Sequence, residues 1–286
     1  MMKKRLRFLL IVLMGAALAG VLAFLAYREM DRTAGVETYD QAAALAGVPD
    51  LDKLIPTPAP APESTSAPAQ PPGESAFVDA GAAPAETAQP KPAEPPLPVF
   101  DALENVDLEA LRSYNREVLG WIAIPGVLSY PLMRGGDNSF YLNHTWNGAR
   151  NSVGSVFMDY RCSADMSDFN TVIYAHRTRR GAMFGSLSQY ASQSFWKAHP
   201  DVFLVTDAGI SRYRIYAAYE AELTGPAYYN RVSSEESRKS FISSGVGQSV
   251  IVSDVSPGPG DRFATLSTCT GNGHSTRWVV QAVRMG

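Results

Sequence analysis

Cys269 closes the apolar run Phe263-Ala-Thr-Leu-Ser-Thr-Cys269 and is followed at once by Thr270-Gly271-Asn272-Gly273. A strand that stops at a thiol and turns into small polar residues presents the sulfur at the rim of a sheet. A nearby cation there raises the thiolate fraction, and only the thiolate is a strong nucleophile. The competing reading is a cysteine that fills a core position. His176 repeats the geometry: it ends the run Thr171-Val-Ile-Tyr-Ala175 and leads into Arg177-Thr-Arg-Arg-Gly181. An imidazole at that place can pair with a thiolate and then hand its proton to a leaving amine; the alternative is an ordinary surface histidine in a basic loop. Arg277 opens the last strand candidate, eight residues after Cys269. If two neighbouring strands are joined by that short loop, its guanidinium comes near the thiol and can hold an oxyanion or a peptide carbonyl. Otherwise it is a solvated strand-end arginine. His144, His199 and His274 are rival bases, His274 being closest to Cys269 in sequence. The second cysteine, Cys162, is a disulfide partner or a bystander, and two cysteines do not make a disulfide-built scaffold.

The elements that must position these groups lie from about residue 100 onward. Asp107 caps a helix with Leu108, Leu111, Val118 and Leu119 as its apolar positions. Short strands follow: 121–124 and 130–133 around the Pro125-Gly126 turn, then 155–158, 171–175, 202–206, the long 211–222, 263–269 and 277–283. Between the last long strands, residues 233–244 predict a helix, with Ser233 as N-cap and Glu236 as its capping-box partner. Many short strands separated by turn signals predict a mainly β fold that closes, or nearly closes, into a barrel. There is no internal repeat, no P-loop, and no cysteine or histidine spacing suited to zinc, so the sequence calls for no cofactor and no metal.

The 286 residues are 45% hydrophobic, but unevenly so. Residues 8–27 form an apolar stretch without charge, long enough for a bilayer core of roughly 30 Å, behind the basic cluster Lys3, Lys4, Arg5 and Arg7. That order predicts a cytoplasmic tail over 1–7, a single membrane anchor over 8–27 and everything later outside the cell membrane. A cleaved signal peptide is the rival, although the apolar stretch exceeds the usual signal core. Residues 28–98 are assigned to an extracytoplasmic linker, with one short helix around 40–46 and a Pro/Ala-rich stiff spacer from Pro56 to Pro98. Residues 99–286 read as the folded domain, which holds all the candidate groups. The net charge of -3 and the absence of a basic patch interleaved with aromatics leave nothing that favours nucleic acid.

In combination these residues resemble a known family. Thr265-Leu-Ser-Thr-Cys269 followed by Arg277 is similar to the sortase signature in its class B form. Ile173-Tyr-Ala-His176 with Met183-Phe-Gly-Ser-Leu187 resembles the class B stretch around the histidine. Leu119-Gly-Trp-Ile122, Asp137-Asn-Ser-Phe-Tyr-Leu142 and Gly154-Ser-Val-Phe-Met-Asp-Tyr160 add further class B-like blocks in the family's order. The resemblance implies a sortase-like closed β-barrel of about eight strands with an N-terminal helix and an inserted helix between late strands. It implies a Gram-positive envelope transpeptidase with Cys269 as nucleophile, His176 as acid/base and Arg277 as oxyanion and substrate stabiliser. Its partners would be secreted proteins with a C-terminal sorting motif and an amine of a peptidoglycan precursor or a pilin. Peptide contacts carry over to Asn138, Leu142, Ser267 and Thr270, and a groove wall to Thr224, Tyr228 and Tyr229. Two departures stand out: Ala175 where many relatives have glycine, and no acidic residue directly after Cys269, which favours Arg277 as third member. The alternatives are another envelope cysteine enzyme, such as an L,D-transpeptidase or a papain-like peptidase, and a non-catalytic binding module on a stalk.

Overall fold

The computed structural model describes residues 2–54, 98–178, 181–271 and 275–286, with the side chains of 2–9 and 11 outside the description. Eight strands among these residues close into a barrel: β1 (Val118–Ile124), β2 (Leu128–Met133), β3 (Val156–Met158), β4 (Asn170–Tyr174), β5 (Asp201–Thr206), β6 (Gly209–Glu222), β7 (Phe263–Cys269) and β8 (Thr276–Arg284). Around the barrel the order is β1-β2-β3-β4-β7-β8-β6-β5, with β5 pairing back onto β1. Closure leaves no free edge. The expected strands are all present, with small shifts at their ends.

β2–β3 and β4–β7 are parallel pairs. A parallel pair needs a long crossover, and the one from β4 to β7 carries β5, β6 and two helices, α4 (Gln193–Ala198) and α5 (Glu235–Gln248). Trp121, Phe157, Leu204 and Leu266 belong to the main hydrophobic core. A second cluster, Phe169, Tyr216, Phe241 and Phe263, packs α5 against the outside of the barrel. Ser234, not Ser233, caps α5, accepting from the Ser237 N–H at 3.1 Å. Asp107 does cap a helix, α3 (Leu108–Arg112), through the Ala110 N–H. That helix stops at Arg112, and Val118 and Leu119 belong to β1.

The N-terminal region differs most from expectation. Helix α1 runs without interruption from Met2 to Leu45, about 66 Å at 1.5 Å per residue. It is long and apolar enough to cross a membrane in its first part. Its last part is not linker. Gly35, Tyr39, Ala42 and Ala46 are buried, a stripe at helical spacing that lies on the barrel. Tyr39 meets Tyr130 edge-on at 5.3 Å, and the Trp146 indole N–H donates to the Thr38 carbonyl at 2.8 Å. The composition of 28–54 hides this face because small residues form it: they bury little area each but let the helix approach closely. The short helix expected around 40–46 is the end of α1.

The apolar first part of α1 and its docked last part are thus one continuous helix, upstream of residue 55. The described chain stops at a 3-10 turn, Leu51–Leu54, and resumes at α2 (Pro98–Leu103). The turn and α2 touch each other, and Leu51, Val99 and Leu103 share the main core. Both flanks of residues 55–97 thus sit on the same side of the same barrel.

Candidate active site

Strand order explains how three residues far apart in sequence meet. β4 and β7 are adjacent and parallel, so both end at the same rim of the barrel. β8 runs antiparallel to β7 and therefore starts there. Cys269, the last residue of β7, is directly opposite Arg277 of β8. Tyr174 of β4 is opposite Ser267, and the same register carried two residues further sets His176 level with Cys269. Side-chain and backbone bonds extend the pairing that far: the Thr268 hydroxyl donates to the Ala175 carbonyl at 2.9 Å, and the Ala175 N–H to the Ser267 carbonyl at 3.4 Å. Cys269, His176 and Arg277 are each half-buried.

All three line one open cavity of about 430 Å³. Four of the expected substrate contacts line it as well: Asn138, Leu142, Ser267 and Tyr228. Tyr228 is turned inward by the 3-10 turn Pro226–Tyr228 and shares a 2.9 Å hydrogen bond with the Ser267 hydroxyl. Burial holds the Tyr228 phenol above its ordinary value, only partly offset by the Ser267 bond, so it stays a neutral hydrogen-bonding group. Thr270 is buried just behind Cys269, and its carbonyl accepts from the Arg177 guanidinium. Thr270, Thr224 and Tyr229 are not among the residues that line this cavity, whereas Leu223 is, and Tyr229 is half exposed.

The His176 ring is fixed at one edge. Its Nε2 lies 2.6 Å from the Leu142 carbonyl oxygen. A carbonyl only accepts, so Nε2 carries a hydrogen, and Nδ1 is the nitrogen left to exchange a proton. The rival histidines are engaged elsewhere. His144 stacks on Phe140 and bonds the Phe140 carbonyl, and His199 bonds the Pro125 carbonyl. His274 lies outside the described residues.

Sequence reasoning missed two further residues that line the cavity, Arg161 and Tyr174. Both are tied to Asp159, whose side chain is fully buried. Arg161 donates through Nε and Nη2 at 2.9 and 2.6 Å, and the Tyr174 hydroxyl donates at 3.0 Å. Burial alone would raise the Asp159 carboxyl. The Arg161 side-chain and backbone donors and the Tyr174 hydroxyl more than offset that, and hold it below the usual carboxylate range. The signal was within reach: an aspartate closing the apolar strand Val156–Met158, with an arginine two residues on, is a fork-to-carboxylate pattern.

Both cysteines are free thiols. Cys162 is buried between β3 and β4, where burial pushes its thiol up despite the Val172 N–H that points at it. A thiol in that state is unreactive.

A family model described as the sortase domain matches residues 123–285. This chain belongs to the sortase family. It is 33% identical over 168 residues to sortase B of Listeria monocytogenes, covering 57% of this chain and 67% of that protein. Against sortase B of Staphylococcus aureus the identity is 31% over 162 residues, covering 56% and 66%. Among solved structures, the S. aureus sortase B–substrate complex superposes with a TM-score of 0.59 at 30% identity, over 62% of this chain and 84% of that one. Clostridium perfringens sortase B gives 0.59 at 26% identity, over 63% of this chain and all of the other. The barrel and the helix between its late strands are those of class B sortases, and this sortase is a cysteine transpeptidase of that class.

Proposed function

We propose that Cys269 is the nucleophile, His176 the general acid and base, and Arg277 the group that holds the oxyanion. The observation that carries this reading is the register of β4, β7 and β8, which sets the three residues side by side at the mouth of one cavity. In the first step the Cys269 thiolate attacks a backbone carbonyl of a sorting signal. The Sγ–C bond forms, the oxyanion is held by the Arg277 guanidinium, and the C–N bond breaks as His176 Nδ1 gives its proton to the leaving amine. An acceptor amine then attacks the thioester, passes a proton to Nδ1 and releases the thiolate, so the enzyme returns to its starting state. Asn138, Leu142, Tyr228, Ser267 and Thr270 contact the peptide, and Arg161 and Tyr174 line the same cavity.

The donor substrates in this reading are secreted proteins with a C-terminal sorting motif, and the acceptor is an amine of a peptidoglycan precursor or a pilin. Sortase B has been solved in complex with triglycine, a short peptide whose terminal amine has the acceptor's chemistry. The first part of α1 is the membrane anchor, with the N-terminus in the cytoplasm and the barrel outside. Incubating the full chain with a library of sorting peptides tests the reading. Wild type should accumulate a peptide adduct on Cys269, detected by mass spectrometry, and Cys269→Ala should form no adduct and cleave nothing. Cleavage by Cys269→Ala would overturn it.

A further inference from the structure

Besides packing on β2, α1 hydrogen-bonds to the loop that precedes β3, residues 144–155. At Gly35 the two are so close that a Cβ would stand 2.2 Å from the Asn151 Oδ1. The same Asn151 donates through Nδ2 to the Asp31 carbonyl at 2.6 Å. The Ser152 N–H and hydroxyl both donate to the Asp31 carboxylate, at 3.1 and 2.6 Å. One helical turn on, Trp146 donates to the Thr38 carbonyl. Tyr39 completes the row: its hydroxyl donates to the Gly154 carbonyl at 2.5 Å and lies 3.1 Å from the Ser155 hydroxyl, which itself donates to the His144 carbonyl.

Gly154 is where this row meets the site. Its φ is +65°, and a Cβ there would stand 2.7 and 2.8 Å from the Tyr141 and Leu142 carbonyl oxygens and 3.1 Å from His176 Cδ2. The bare Cα therefore packs against both the imidazole ring and the carbonyl that receives its Nε2–H. From the Tyr39 hydroxyl to the ring there is one peptide unit. We infer that residues 31–39 of α1 are positioning residues for His176: by fixing the Asn151–Ser155 segment they fix Gly154, and Gly154 and the Leu142 carbonyl together set the direction in which Nδ1 points. The helix that leads in from the apolar anchor segment is then part of the catalytic apparatus, not only a tether. Misplacing a catalytic group by 1 Å costs up to about 10²-fold in rate, so a small relaxation of this loop is enough to be read in kinetics.

This inference rests on His176 as the acid/base, and the test is arranged to separate the two. Tyr39→Phe in the full chain, in detergent micelles, removes one hydroxyl and keeps the ring against Tyr130. Three quantities are read: kcat and KM on a sorting peptide per titrated Cys269, the pH profile of Cys269 alkylation by iodoacetamide, and the melting temperature. The expected result is a kcat about tenfold lower, KM within about twofold, a displaced alkylation profile and a nearly unchanged melting temperature. Gly35→Ala, which pushes Asn151 aside, should move the same quantities in the same direction and serves if Tyr39→Phe folds poorly. A kcat per titrated site and an alkylation profile both equal to wild type would overturn the inference, whatever happens to the melting temperature. If wild type turns over no peptide, the transpeptidase reading fails, and the alkylation profile still decides whether Tyr39 positions the histidine.

Discussion

Arg277 faces Cys269 across a strand pair, and from there it can act in two ways. As an oxyanion donor it matters in the transition state, so Arg277→Ala should lose roughly 10² to 10³ in peptide turnover, the scale of one such donor. Arg277→Lys should recover only part, because an ammonium lacks the planar fork. As a mere source of positive charge it would be replaced well by lysine, and alkylation of Cys269 would slow in Arg277→Ala. Comparing turnover with alkylation in both variants separates the roles. Asp159 supports the cavity wall at Arg161 and Tyr174. Asp159→Ala leaves the Tyr174 hydroxyl without its acceptor and Arg161 without its carboxylate, and should cost about 1–3 kcal/mol in denaturant unfolding at pH 7. The native carboxyl lies below its ordinary value, so its contribution is present above the unfolded value of about 3.9 and lost as pH falls through the native one. The stability gap between wild type and Asp159→Ala should therefore shrink below about pH 4 and stay constant above about pH 5. An unchanged gap at about pH 3 would show that the carboxylate charge is not what holds the wall.

At the scale of elements, the docked end of α1 bears on where the folded unit begins. A chain begun at residue 99 loses Tyr39, Ala42, Ala46 and Leu51 from the main core, together with the Thr38 and Asp31 acceptors. Full burial of a side chain such as leucine contributes about 1.5–3 kcal/mol, so the loss should amount to roughly 5 kcal/mol over the four. A chain begun at residue 29 keeps these contacts without the apolar stretch. Thermal unfolding of the two should give a clearly higher midpoint for the longer one. Equal midpoints would mean that the docked helix contributes little, and that the boundary expected from composition is the energetic one after all.

At the scale of the whole molecule, the two flanks of residues 55–97 meet on one face of the barrel, while α1 has already joined barrel and apolar segment upstream. Replacing residues 56–96 by a short Gly/Ser bridge should leave the melting temperature and the peptide turnover of the full chain close to wild type. A large loss of either would show that this stretch supports the barrel or the substrate. Loop closure argues for tolerance as well, since its entropic cost changes only slowly with loop length.

Much of this was decided locally and could be read from the chain. A strand of alternating or continuous apolar residues that stops at a titratable group is a local pattern, so Cys269, His176 and Arg277 and the strands that carry them were legible, and the blocks around them were enough to suggest the family. Which strands are neighbours is not local. That β4 lies parallel to β7, and so brings His176 level with Cys269, follows from barrel closure and from a crossover that runs all the way from Tyr174 to Phe263. The same holds for the parts that composition misjudged. Gly35, Ala42 and Ala46 are small residues whose value is close approach, which exists only once there is a surface to approach. Tyr228 and Tyr229 are alike in sequence, and only the turn that contains them sends one into the cavity and the other into solvent. Chain chemistry set the groups available, and packing set which of them meet.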